Sequence, residues 1–139
     1  AQGGPWPVHC VAGTDGAGFD PRLHLPEGVV HIHKATERDS EAYSALAGTQ
    51  LAEELRSRGV RRMFIAGLAT DYCVLNTVRD ATPLGLEVIV LADAIRAVNV
   101  HPDDGAKAES EMRQIGAAFI PVDAIAGAAQ GRPATTEAS

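Results

Sequence analysis

From Val29 onward, apolar positions switch between a two-residue and a three-to-four-residue period. The run "VVHIHK" (29–34) is short and β-branched, follows Pro26 and Gly28, and predicts a strand. "TQLAEELRSRG" (49–59) sets Leu51 and Leu55 four apart and stops at Gly59, as a helix with a C-terminal glycine does. "VRRMFIAG" (60–67) predicts the next strand. "DYCVLNTVRDATPLG" (71–85) predicts a helix with Val74, Val78 and Ala81 on one face, ending near Pro83 and Gly85. "LEVIVLAD" (86–93) is a continuous apolar strand of the kind buried on both faces. "DDGAKAESEMRQIG" (103–116) opens on acids, carries Ala108, Met112 and Ile115 as a stripe and closes on Gly116, and "AFIPV" (118–122) is a last short strand.

Strand and helix in alternation predict a parallel sheet with right-handed crossovers, hence a doubly wound α/β sheet sandwiched by helices. The expected domain is 1–122. Residues 123–139, rich in Ala, Gly, Thr and Pro, are expected to form a helix remnant fading into a disordered tail. Residues 1–28 carry Gly, Pro and few periodic apolar positions, so they read as loop. A loop that long at the start of a compact domain is unusual and suggests that strands belonging before it are absent.

Composition narrows the function classes. The chain has 139 residues, enough for one domain or most of one, and its 45% hydrophobic content supports a real core. Acidic residues outnumber basic ones 18 to 12 and no Lys/Arg stripe forms, which excludes nucleic acid or an anionic membrane as the main partner. No apolar run approaches the roughly 20 residues of a spanning helix, and no charged-then-apolar leader opens the chain. A soluble, cytoplasmic protein is the expectation. Two cysteines, Cys10 and Cys73, are too few for a disulfide framework.

Cys73 draws attention because it falls just past the carboxyl end of a strand, where ligands bind in open α/β sheets. In the first turn of a helix, free backbone N–H groups and the helix dipole favour negative charge, and therefore a thiolate nucleophile. The same N–H groups can hold an oxyanion. Thr70 or Asp71 is placed to cap the helix start. Location alone leaves a nucleophile and a buried structural thiol both open. Lys34, ending the strand "VVHIHK", would stabilise a thiolate if the strands are neighbours; otherwise it is a surface lysine. His9, in "WPVHC", could ligate a metal, pair with Cys10 or hydrogen-bond within a loop. His31 and His33 share a strand face, but no third ligand stands at an obvious spacing, so they read as half-exposed strand histidines.

Four motifs, "GGPWPVHCVAGTDGAGF", "HKATERDSEAYSAL", "GLATDYCVLNTVRDA" and "LADAIRAV", together resemble the nicotinamidase branch of the isochorismatase-like cysteine hydrolases. They occur in that family's order and reach to about Pro121. The resemblance implies an isochorismatase-like hydrolase fold and an amidohydrolase that turns nicotinamide into nicotinate and ammonia through a cysteine thioester, in NAD salvage. It implies Cys73 as nucleophile, Lys34 as catalytic lysine, and His9 as one ligand of a divalent metal, zinc first, with manganese or iron as alternatives. Trp6, Tyr72 and Leu68 fall at the substrate pocket. A cis peptide between Leu68 and Ala69 would turn the Ala69 N–H toward an oxyanion hole shared with the Cys73 N–H.

The departures are specific. The family's catalytic aspartate and its Asp-x-His metal pair precede "WPVHC", and this chain begins just before that motif, so it is expected to lack the N-terminal strands and to hold an incomplete metal site. Ala35 stands where the family usually has Gly, and Leu46 where an aromatic is common; both bear on substrate fit. Two other readings stay open: a superfamily hydrolase acting on another small amide or carbamoyl compound, and a non-catalytic fragment. Assembly into a homo-oligomer is a further expectation.

Overall fold

In the computed structural model, which describes residues 6–36 and 42–125, three parallel strands form one sheet in the order β1-β2-β3. These are β1 (Arg62–Leu68), β2 (Glu87–Arg96) and β3 (Ala118–Ile120). Helix α1 (Leu51–Ser57) precedes β1, α2 (Leu75–Ala81) connects β1 to β2, and α3 (Asp104–Gln114) connects β2 to β3. The parallel α/β architecture is the one the alternating pattern predicts. The three strands step in one direction, and right-handed crossovers put α2 and α3 on the same sheet face. The contact between these helices bears that out: Arg79 forks onto Glu111 with bonds of 2.6 and 2.9 Å. The guanidinium holds the Glu111 carboxyl below its ordinary range.

The core lies between that face and the helices. Ile65, Val88 and Val90 from the sheet meet Val74, Val78 and Ala81 below the Cys73 turn and Ala108 and Met112 from α3. Each predicted helical stripe therefore points inward. Val88 to Leu91 are all buried, as expected of a strand covered on both faces.

Two of the helix ends follow from glycine. Past α1, Gly59 has φ 64°, its N–H bonds the Arg56 carbonyl, and the Val60 N–H bonds the Leu55 carbonyl at 2.9 Å. Past α3, Gly116 has φ 106°, with matching bonds to Arg113 and from Ala117 to Met112. Both are Schellman closures, and both need a left-handed residue that only glycine supplies without steric cost.

Three expectations are corrected. Residues 29–34 hold no regular secondary structure and pair with no strand among the described residues; a β-branched run becomes a strand only where a neighbour completes its ladder. His31 and His33 therefore do not share a strand face, and both are exposed. The helix expected over 71–85 is divided into a π-helical turn (Thr70–Val74), α2 and a 3₁₀ turn (Thr82–Leu84). Residues 6–28 are loop, as expected, with one 3₁₀ turn at Asp15–Ala17. The tail expected over 123–139 lies outside the described residues from 126 onward, as do positions 3–5 and 37–41 of the first two motifs. Among the described residues no helix is long and apolar enough to cross a membrane.

Met112 is fully buried where α3 meets α2 and the sheet. Met112→Ala is expected to lower the free energy of unfolding by about 2–5 kcal/mol in a denaturant titration. A loss well under that range would contradict this placement of the core.

Candidate active site

The site begins where β1 runs out. Its pairing with β2 jumps from Ile65 opposite Val90 to Gly67 opposite Ile95, so β2 bulges there and the last residues of β1 are re-aimed. The peptide bond between Leu68 and Ala69 is cis. Ala69 is extended, and the chain then winds into the π turn, in which the Val74 N–H reaches back five residues to the Ala69 carbonyl at 3.0 Å. Single π turns of this kind are frequent at functional sites. Cys73 lies in this turn, half-buried, two residues before α2 begins at Leu75.

Neither Thr70 nor Asp71 caps the turn, as the sequence led us to expect. Thr70 is buried, and Asp71 reaches across to the segment after β2. Its two carboxylate oxygens accept the Val98 N–H at 3.0 Å and the Asn99 N–H at 2.9 Å. A side chain placed to cap its own helix is recruited instead by two loop amides that have no ladder partner.

Lys34 comes to this turn from 39 residues away. Its Nζ donates to the Cys73 Sγ at 3.3 Å and to the Ala42 carbonyl at 2.9 Å. The lysine reaches the thiol although residues 29–34 form no strand. Ala35, next in the chain, has φ 58°, in the left-handed region where glycine is at ease and alanine is strained. Leu46, the other departure, is buried in the core rather than facing the site.

The chain has one Trp and two Tyr, and all three meet beside Cys73. Trp6 packs edge-on against Tyr72, with ring centroids 4.9 Å apart, and its Nε1–H donates to the Tyr43 hydroxyl at 3.3 Å. Tyr43 closes the group at 5.4 Å from Tyr72. Burial pushes the Tyr72 phenol above its usual range, and the nearby Asp71 charge adds to the effect. Sequence reasoning selected Trp6 and Tyr72 and missed Tyr43. The available signal was an aromatic side chain in an otherwise polar stretch of a chain only 4% aromatic.

Other expected residues are not gathered. Leu68 is 72% exposed at the end of β1. His9 is exposed, and its Nδ1–H donates to the Pro7 carbonyl at 2.6 Å, which leaves Nε2 as the nitrogen able to ligate. Among the described residues no group of three or more His, Cys, Asp or Glu side chains converges to hold a metal. One imidazole is not a metal site, so these residues alone do not fit the divalent ion that the resemblance implies. A cleft of about 240 Å³ opens on the α3 side of the same turn, lined in part by Asp71, Tyr72, Asp104 and Lys107. It reaches neither Cys73 nor Lys34.

The isochorismatase domain family matches residues 1–124. The nicotinamidase of Escherichia coli is 40% identical over 118 residues, which are 81% of this chain and 55% of that protein. The nicotinamidase/pyrazinamidase of Mycobacterium tuberculosis is 39% identical over 113 residues, covering 78% of this chain and 59% of that protein. Among solved structures, pyrazinamidase of Pyrococcus horikoshii in complex with zinc is 48% identical with a TM-score of 0.78, over 86% of this chain and 64% of that one. PnC1 of L. infantum in complex with nicotinate is 34% identical with a TM-score of 0.80, over 88% and 63%. The chain spans about half the length of the curated relatives it matches.

The strain at Ala35 is directly testable. Ala35→Gly is expected to stabilise the protein by up to about 1 kcal/mol, since relief of the left-handed alanine outweighs the added freedom of the unfolded chain. A lower melting temperature for this variant would contradict the backbone conformation that delivers Lys34.

Proposed function

Because the chain belongs to the isochorismatase family, we propose that Cys73 is the nucleophile of an amidohydrolase acting on nicotinamide or a close heteroaromatic amide. The observation that carries this reading is the 3.3 Å contact between Lys34 Nζ and Cys73 Sγ beside the Trp6, Tyr43 and Tyr72 group. A thiolate held by an ammonium is an activated nucleophile, and an aromatic wall suits a flat ring. Similarity to nicotinamidases and to a nicotinate complex supports the same substrate class.

In the proposed reaction the Cys73 thiolate adds to the carboxamide carbon. The oxyanion is received by the Ala69 and Cys73 N–H groups, the role for which the cis bond at Leu68–Ala69 would orient the former. The carbon–nitrogen bond breaks, the amide nitrogen takes up the proton given up by the Cys73 thiol and leaves as ammonia, and an acyl thioester remains. Water then hydrolyses the thioester to nicotinate and frees the thiol. Lys34 Nζ donates to the sulfur before attack and again after release. In the cell this chemistry returns nicotinamide to NAD synthesis. The ring is positioned by Trp6, Tyr43 and Tyr72, with Leu68 at the pocket's edge, so that the amide carbon meets the sulfur in reacting geometry. His9 would offer its Nε2 as one ligand to a divalent metal such as the zinc in the Pyrococcus horikoshii pyrazinamidase complex. The aromatic group is also what favours a ring substrate over an open-chain carbamoyl compound.

The test is ammonia release from nicotinamide by the protein. Cys73→Ser is expected to cut turnover by at least about a thousandfold with the fold retained. Lys34→Ala is expected to lower kcat more than it changes KM, since the lysine serves the thiol rather than the ring. Turnover retained in Cys73→Ser would contradict the assignment of the nucleophile.

A further inference from the structure

Thr77 lies one helical turn beyond Cys73 on α2 and is 5% exposed. Its hydroxyl donates to the Cys73 carbonyl at 2.7 Å and accepts the Ala45 N–H at 3.0 Å. The first bond is the ordinary back-bond of a helical threonine. The second is not local, because Ala45 lies 32 residues earlier on a different segment. A hydroxyl has one proton and two lone pairs, so both bonds form together, with the proton committed to Cys73.

The segment caught in this way carries the two other groups that the thiol depends on. Ala42 presents the carbonyl that holds Lys34 Nζ, and Tyr43 closes the aromatic group against Tyr72. It is also stitched internally. The Leu46 N–H bonds the Ser44 hydroxyl at 3.1 Å, and the Thr49 hydroxyl bonds the Ala45 carbonyl at 2.6 Å. A shift at Ala45 is therefore passed to its neighbours rather than absorbed by a slack loop.

We infer that Thr77 is a positioning residue for the Cys73–Lys34 pair: one buried hydroxyl sets the turn carrying the thiol against the segment that anchors the lysine. This rests on the reading of Cys73 as the nucleophile. Thr77 touches no substrate and no reacting atom. It acts through the Cys73 carbonyl on one side and through Ala45, and thence Ala42 and Tyr43, on the other.

The test reads the reactivity of Cys73 without requiring turnover. Thr77→Val keeps the shape and removes both bonds, whereas Thr77→Ser keeps both bonds and removes a methyl. Alkylation by iodoacetamide at neutral pH, followed by peptide mapping, reports Cys73 and the exposed Cys10 separately in one sample. Thr77→Val is expected to slow Cys73 labelling about tenfold, because the displaced lysine no longer donates to the sulfur, while Cys10 labels at an unchanged rate. Thr77→Ser is expected to restore the Cys73 rate to within about twofold of the parent. A folded Thr77→Val form that labels Cys73 like the parent overturns the inference, and so do rates that rise together at both cysteines. Should Thr77→Val fail to fold, amide exchange in the unmutated protein decides. Protection of the Ala45 N–H supports the bond to Thr77, and exchange at the rate of an open loop overturns it. If Cys73 labelling depends on Thr77 but nicotinamide is not hydrolysed, the substrate assignment fails and this inference stands. If nicotinamide is hydrolysed and labelling ignores Thr77, the reverse holds.

Discussion

A single ammonium group ties the site together. Lys34 has three N–H donors and uses two of them on partners far apart in sequence, the Cys73 sulfur and the Ala42 carbonyl. A partly buried cation is costly without such partners, so the segment that carries it has to come to the end of the sheet in one particular way. Several features follow from that requirement. Ala35 adopts a left-handed conformation immediately after the lysine. The segment around Ala45 is fastened to α2 through Thr77. Tyr43 is thereby placed against Tyr72, the neighbour of the thiol itself.

The sheet supplies the other half of the arrangement. A parallel strand buried on one face by α2 and α3 delivers its carboxyl end to the surface, where helix-end N–H groups and side chains converge. Here the end of β1 is modified three times within a few residues, by the bulge opposite β2, the cis peptide at Leu68–Ala69 and the π turn over Thr70–Val74. Just past these features Val74, Val78 and Ala81 stay locked in the core. Asp71 adds a hold from the opposite side, gripping Val98 and Asn99 in the segment that leads to α3. The turn is thus braced from two directions, by side chains that local sequence would assign to capping or to an idle helix position.

Much of the frame was legible because it is written locally. Gly59 and Gly116 end α1 and α3 as their positions announce, and Val78, Ala108 and Met112 point inward as the helical period requires. The continuous run in β2 is buried as its composition implies. Residues 29–34 were misread because β-branching describes an extended backbone, while strand status is decided by a neighbour. The π turn was illegible since nothing in "TDYCV" distinguishes a five-residue reach from a four-residue one. Cys73 and Lys34 were singled out through position and family motif, and the structure sets Lys34 Nζ 3.3 Å from Cys73 Sγ and packs Trp6 against Tyr72. Tyr43 and Thr77 were missed because their roles exist only across segments, at separations of 29 and 32 residues. One clue was present: a threonine one turn after a candidate nucleophile, set directly before the buried Val78.

The central claim is that the thiol held by Lys34 and the aromatic group of Trp6, Tyr43 and Tyr72 form one ligand site. It is tested most directly by measuring how fast Cys73 is alkylated with and without saturating nicotinate, using Cys10 as the internal reference. The account predicts that nicotinate slows labelling at Cys73 and leaves Cys10 unaffected. Equal protection of both cysteines, or none at Cys73, would contradict it.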